Sequence, residues 1–312
     1  MRSARCTTSS SPGDRGPCAE VPHGVASPLM EIEFLKMQGC GDDVVVVDGS
    51  RVPAEAPAHL PEIAQGILDR SFGVGGNALI VLGTAAAGVL PVRCLDADGD
   101  DFTITSNAAR CVARYATDSG AVSTNEFFLE CGTEKVRAQI IDSANVRVDM
   151  GMPFSGEKTA EIRESLRESF TRAILVQGRS VTYTPISLGR SYAMIFVADF
   201  SFPIRKTARE IAAQPDFPEG TGIGFVQVCS REELRLRTWD APGEPPTDEC
   251  ACASAALVAA VVNGFTDREL FVRLRGGTIF LQWEESDNHL WVTGAGSYVF
   301  TGTWDFSTET AE

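Results

Sequence analysis

Histidine is nearly absent from this chain: its 312 residues hold only His23, His59 and His289, far apart in sequence. A zinc or other imidazole-based metal site is therefore not expected, although Cys250 and Cys252 stand one residue apart. The nine cysteines are odd in number and irregularly spaced, which suits a reducing compartment, the cytoplasm, better than a disulfide framework. No apolar run is long enough to span a bilayer. Basic residues are the minority, 27 Lys and Arg against 42 Asp and Glu, and a formal net charge of -15 argues against nucleic acid or an anionic membrane as partner. The partner expected is a small-molecule substrate, with a second copy of the chain allowed as a homodimer mate.

What is present is a globular composition, 44% apolar and 22% charged, in a chain long enough for two domains. Residues 1–29 are rich in Ser, Pro, Gly and Arg and lack an apolar signal-peptide core, so they read as a disordered extension or as translation begun upstream of Met30. Alternation then predicts strands at Glu31–Met37, Asn77–Leu82, Gly88–Leu95 and Asp101–Thr105, and the valine run Val44–Asp48 reads as a buried strand. Helices are expected near Leu60–Arg70 and Ala108–Tyr115, and further strands at Glu126–Cys131, Lys135–Ile141 and Asn145–Met150. After a polar crossing near Glu157, the plan repeats: strand Ser191–Val197, helix Ile204–Gln214, strands Gly222–Val228 and Leu234–Trp239, a helix from Cys250, and three more strands. Tyr298–Gly302 suits a return to the first sheet. Many strands and few helices in two like halves give an α+β fold, with lobes at 30–155 and 156–296 and a returning strand at 297–306.

The helix from Cys250 carries the strongest chemical signal. A Pro- and Gly-rich segment, Asp240 to Thr247, precedes it, and its first turn is built from Ala, Cys and Ser. Small side chains leave the free backbone N–H groups open to an anion, and a thiol at that end becomes more acidic. The bland alternative is a buried Cys in a small-residue helix. An internal echo favours the first reading: Arg93, Asp96-Ala97 and Gly99 precede Ser106-Asn107-Ala108, much as Arg237, Asp240-Ala241 and Gly243 precede Cys250. Two related halves, each aiming a helix N-terminus, predict a site between them.

These residues resemble the diaminopimelate epimerase family from Met30 to about Trp304. The likeness rests on Phe34-Leu-Lys-Met-Gln-Gly-Cys-Gly-Asp-Asp, Asp69-Arg-Ser-Phe-Gly-Val-Gly, Asn107-Ala-Ala-Arg-Cys, Val148-Asp-Met-Gly-Met-Pro, Phe217-Pro-Glu-Gly-Thr and the Cys250 segment. The resemblance implies two pseudo-symmetric domains, each a β-sheet wrapped around a central helix, with a cofactor-independent active site in the cleft. It also implies a pair of cysteines, one on each face of the substrate α-carbon. Here Cys250 matches the second, but Thr105 stands at the first, and an alcohol near its ordinary pKa is no proton acceptor at neutral pH. Other positions depart as well: the turn Asn is Asp42, a Gly-Asn-Pro-His motif reads Gly189-Arg190-Ser191-Tyr192, a substrate-binding Asn is Gly222, and a Glu-Arg pair is Asp240-Ala241.

The departures disfavour a two-cysteine racemase. The first expectation is thus a cofactor-independent isomerase or cyclase of a non-amino-acid specialised metabolite, such as a polyketide in antibiotic biosynthesis, by analogy with the phenazine-pathway isomerase on a similar fold. The alternatives are an amino-acid epimerase or dehydratase of the same superfamily with Cys250 as its single base, and a ligand-binding protein without catalysis. Expected acid/base or donor groups are Cys250, Asp42, Tyr192 and Thr105, against plain burial, an Asx turn, strand packing and N-capping respectively. Expected substrate contacts are Ser106, Asn107, Gly222, Asp240, Ala251 and Cys252. A chain beginning at Met30 is expected to keep the circular dichroism spectrum and Tm of the full-length protein; a clear drop in Tm on truncation would refute the dispensability of residues 1–29.

Overall fold

A computed structural model describes residues 30–153, 171–176, 178–188, 190–215, 217, 220–239 and 249–307. The extension 1–29, Gly189, Asp240 and Ala241 lie outside the described residues.

The valine run explains the first layer. Strand β2 (Asp42–Asp48) sends Val44 and Val46 to one side and Val45 and Val47 to the other, and all four are buried in two different cores. Alternation along a strand does this only when both faces are covered. On the inner side lies helix α2 (Ser106–Asp118), and on the outer side α1 (Leu60–Leu68). The second half repeats the arrangement. Strand β10 (Arg190–Phe196) directs Tyr192 and Met194 inward, toward the core that contains α4 (Glu249–Val262). Ala193 and Ile195 point outward to α3 (Ile204–Ala212). Helices α2 and α4 are buried nearly all round, and their Ala, Cys and Ser side chains let the surrounding strands close tightly on them.

The remaining strands are β1 (Met30–Gly39), β3 (Ala78–Leu82), β4 (Val89–Leu95), β5 (Glu126–Cys131), β6 (Glu134–Ile140), β7 (Asn145–Asp149), β8 (Arg172–Val176), β9 (Arg179–Leu188), β11 (Gly222–Ser230), β12 (Glu233–Trp239), β13 (Glu269–Arg273), β14 (Thr278–Trp283), β15 (Leu290–Ala295) and β16 (Ser297–Phe306). They form one sheet in the order 16-1-2-3-4-5-6-7-15-14-13-12-11-10-9-8. From β1 to β7 the pairings run antiparallel, parallel, antiparallel, parallel, antiparallel, antiparallel. From β9 to β15 the same series recurs. The halves join at β7 and β15, where Val148 faces Val292, and β16 pairs with β1. Each half is thus a sheet curled around a central helix, an α+β architecture built twice. Among the described residues no helix is long and apolar enough to cross a membrane.

Two local expectations fail for identifiable reasons. Asp101–Thr105 is not a strand: Asp96 accepts hydrogen bonds from the Asp98 and Asp100 amides, only Asp101 bridges back to Leu95, and Thr105 then caps α2. Strands β8 and β9 are additional to the expected set: β8 is only five residues long, and in β9 the buried Tyr183, Thr184 and Ile186 break strict alternation.

The β1–β2 hairpin turns through Cys40 (φ 54°) and Gly41 (φ 85°), a two-residue loop with both residues in the left-handed region. Its tip rests on the β13–β14 hairpin of the other half. A Cβ on Gly276 would stand 1.7 Å from the Cys40 carbonyl oxygen, so only glycine fits there. Gly276→Ala is expected to destabilise the protein by about 1–3 kcal/mol through overpacking. Denaturant unfolding with no shift in midpoint would show that the two hairpins part freely.

Candidate functional site

The first turns of α2 and α4 meet at the centre of the sheet. Thr105 precedes α2 in extended conformation, and its Oγ1 accepts a hydrogen bond from the Ala108 amide at 3.2 Å. It is an N-cap, which is the bland reading of that residue. Two residues on, Asn107 is buried and its carboxamide bridges three elements. Its Oδ1 accepts from Cys250 Sγ of α4 at 2.9 Å and from Arg110 Nη2 of its own helix. Its Nδ2 donates to Asp42 Oδ2 of β2 at 3.3 Å. Asp42 Oδ1 accepts from Asn77 Nδ2 as well. Cys250, Asn107, Asp42 and the start of α2 are therefore brought together, although 208 positions separate the outermost pair (250 − 42).

The two neighbouring aspartates of β2 are sorted by their surroundings. Asp43 forms ion pairs with Lys36 at 2.7 Å and with Arg70 at 2.7 Å. Burial works against its charge, but the hydrogen bonds from Arg70 and Lys36 outweigh burial and hold its carboxyl below the usual range. Asp42 goes the other way: burial is the largest influence and raises it, and the hydrogen bonds from Asn77 and Asn107 only partly offset this. A carboxyl that is easier to protonate than its neighbour is suited to proton transfer.

The remaining candidates separate into a second group. Tyr192 is buried, with its ring over Gly222; a Cβ there would lie 2.8 Å from Cδ1. Absence of a side chain at Gly222 therefore makes room for that ring. Cys252 faces β11, its Sγ 3.1 Å from where a Cβ on Gly224 would be. Ala251 is half-buried against the core. Ser106 is buried, and its Oγ has no hydrogen-bond partner among the described residues. Asp240 lies outside the described residues.

Two residues of the cluster escaped the sequence reading. Arg110 is fully buried at the core of α2. Its signal was present: a cation within a run of small and apolar residues, three positions after Asn107 and so on the same helix face. Asn77, before β3, gave no comparable signal.

The raised Asp42 pKa carries a sign. The folded state binds that proton more tightly than the unfolded chain, so the associated stability is complete below the unfolded value of about 4 and declines as pH rises through the folded one. The unfolding free energy of the protein minus that of Asp42→Asn is thus expected to fall as pH rises from about 4 toward neutrality. A difference that stays level or grows would contradict the burial of this carboxyl.

The known proteins most informative about this arrangement are amino-acid isomerases. The diaminopimelate epimerase family model matches residues 184–301. The diaminopimelate epimerase of Desulfitobacterium hafniense is 34% identical over 278 residues, covering 87% of this chain and 97% of that protein. The one from Heliobacterium modesticaldum is 32% identical over 278 residues, covering 87% and 99%. In fold, a hydroxyproline epimerase from Agrobacterium vitis superimposes with a TM-score of 0.60 at 16% identity, covering 90% of this chain and 93% of that one. These relatives overturn the expectation of a cyclase or isomerase of a non-amino-acid specialised metabolite. That expectation stood on point departures such as Thr105 and Asp42, and they lie in a chain that matches amino-acid epimerases over nearly their whole length. The chain belongs to the diaminopimelate epimerase family and is an isomerase.

Proposed function

We propose that this protein is an amino-acid epimerase acting on diaminopimelate or a close analogue, by moving a proton at the α-carbon between the first turns of α2 and α4. The observation that carries the proposal is 32–34% identity to diaminopimelate epimerases over nearly their whole length, and the family resemblance implies that Cys250 stands at the second thiol. A small-molecule substrate fits that activity, and the family resemblance implies that it proceeds without a cofactor. Cys250 is assigned the proton on one face. Thr105 is engaged as an N-cap, so the other face falls to Asp42, whose carboxyl is raised by burial and shares Asn107 with the thiol. Ser106, Asn107, Ala251 and, by its place in the sequence motif, Asp240 are assigned to the substrate cradle; Tyr192, Gly222 and Cys252 are assigned to its wall.

The capped Thr105 also favours a second reading, elimination of water from a hydroxylated amino acid, which requires only one base. In either case the lobes 30–155 and 156–296 are proposed to close on the substrate, with 297–306 returning to the first. Pairing of two copies is proposed through the edge strand β16, where Tyr298, Val299 and Phe300 are exposed. The free cysteines Cys40, Cys94, Cys111, Cys131, Cys229, Cys250 and Cys252 support a reducing location such as the cytoplasm.

Incubating one stereoisomer of diaminopimelate with the protein in D2O tests the assignment. The expected result is deuterium at the α-carbon together with the inverted isomer, both reduced by about a hundredfold or more in Cys250→Ser. Loss of water from hydroxyproline, with no exchange into diaminopimelate, would replace epimerisation by elimination.

A further inference from the structure

The fully buried Arg110 has no role in what has been described, and a cation in such a place requires compensation. Its Nη1 donates to the Ser106 carbonyl at 3.2 Å, and its Nη2 donates to Asn107 Oδ1 and to Cys250 Sγ, the latter at 3.6 Å. Nε has no hydrogen-bond partner among the described residues. Among the described residues no carboxylate lies within the 4.0 Å of an ion pair with it; Asp42 reaches it only through Asn107. The fold keeps space for this side chain. A Cβ on Gly39 would lie 3.4 Å from Nη2, and one on Gly294 would lie 3.3 Å from Nε.

The titratable groups around it come from four places: Asp42 on β2, Cys40 in the β1–β2 turn, Cys111 on α2 and Cys250 on α4. Burial pushes the Cys111 thiol up to about 12, so it stays neutral. Burial alone would discourage the charge on Arg110; negative charge on Cys250 and Cys40, when these are ionised, outweighs it, and the guanidinium then keeps its proton more firmly than usual. Of the hydrogen-bond acceptors in contact with Arg110 among the described residues, Ser106 O and Asn107 Oδ1 are neutral, and only Cys250 Sγ can carry a negative charge.

We infer that Arg110 is the positioning residue that stabilises the ionised form of Cys250, presenting a fixed buried cation to the thiolate from the opposite half of the molecule. The inference rests on Cys250 being the proton-carrying thiol proposed above. Asn107 Oδ1 accepts from the S–H group and favours the thiol, and Arg110 favours the thiolate. These two neighbours thus pull in opposite directions on the balance between the form that gives a proton and the form that takes one. Placing both on α2 ties that balance to closure of one half on the other.

The test needs no substrate. Thiolate absorbance in the ultraviolet is followed against pH on the full chain, as the difference between the protein and its Cys250→Ser variant. The same difference is taken in Arg110→Met and Arg110→Lys backgrounds. Arg110→Met is expected to move the midpoint upward by about one pH unit or more, with Arg110→Lys in between. An unchanged midpoint in folded Arg110→Met would overturn the inference. A second comparison leaves Arg110 in place: Cys250→Asp should be at least as stable near neutral pH as the isosteric Cys250→Asn, because its carboxylate meets the cation. A more stable Asn variant would equally sink it. Failure of these measurements leaves the deuterium exchange of the wild-type protein untouched. A protein that exchanges no deuterium can still show the Arg110-dependent midpoint, so the two proposals fail separately.

Discussion

Burial of a guanidinium where two helix N-termini meet is the constraint from which the centre of this molecule follows. A charge cannot be left dry without partners, and the partners of Arg110 come from both halves: Ser106 and Asn107 on its own helix, and Cys250 on the other. Holding that set requires the two helices to approach end to end, and close approach requires little bulk around them. Gly39, Gly294 and Gly296 supply the clearance; a Cβ on Gly296 would lie 2.8 Å from the Arg110 carbonyl oxygen. The polar cluster and the small-residue helices around it are one design seen from two sides.

Duplication explains why the site lies where it does. Each half repeats the same order of antiparallel and parallel pairings around a central helix. Each central helix therefore begins at an equivalent point of its own sheet. Joining the sheets through β7 and β15 sets those two beginnings against each other, with Asn107 and Cys250 in hydrogen-bond contact. The halves differ in what they offer at that junction. The first brings a carboxyl, a carboxamide and a cation, Asp42, Asn107 and Arg110; the second brings a thiol. Asymmetry of this sort is what a proton transfer with different groups on the two faces of a carbon needs.

The fold was open to reading because its determinants are local or repetitive. Val44 to Val47 fill both faces of a covered strand, Thr105 announces a cap, and Cys250 opens a helix of small residues. The site was half legible. Asp42, Thr105, Asn107 and Cys250 stood out as polar or nucleophilic residues at turns and helix starts, where local sequence exposes them. Asn77 did not, since nothing next to it in the chain shows what it touches; Arg110 was marked only by its charge within a small and apolar run, which shows its burial and not its contact with Cys250. The chemistry was misread where single departures were given more weight than the whole sequence around them.

Taken alone, the sequence determined most of the strands, the two central helices, the Thr105 cap and the duplication, because these depend on neighbours a few residues apart. Only the tertiary structure decided that Asp42 bonds to Asn107 while Asp43 pairs with Lys36 and Arg70, that Tyr192 covers Gly222, and that Arg110 stands beside Cys250. Those outcomes rest on contacts between residues up to 140 positions apart. A hydrogen bond or a buried charge is set by distance and desolvation in space, and adjacency along the chain fixes neither.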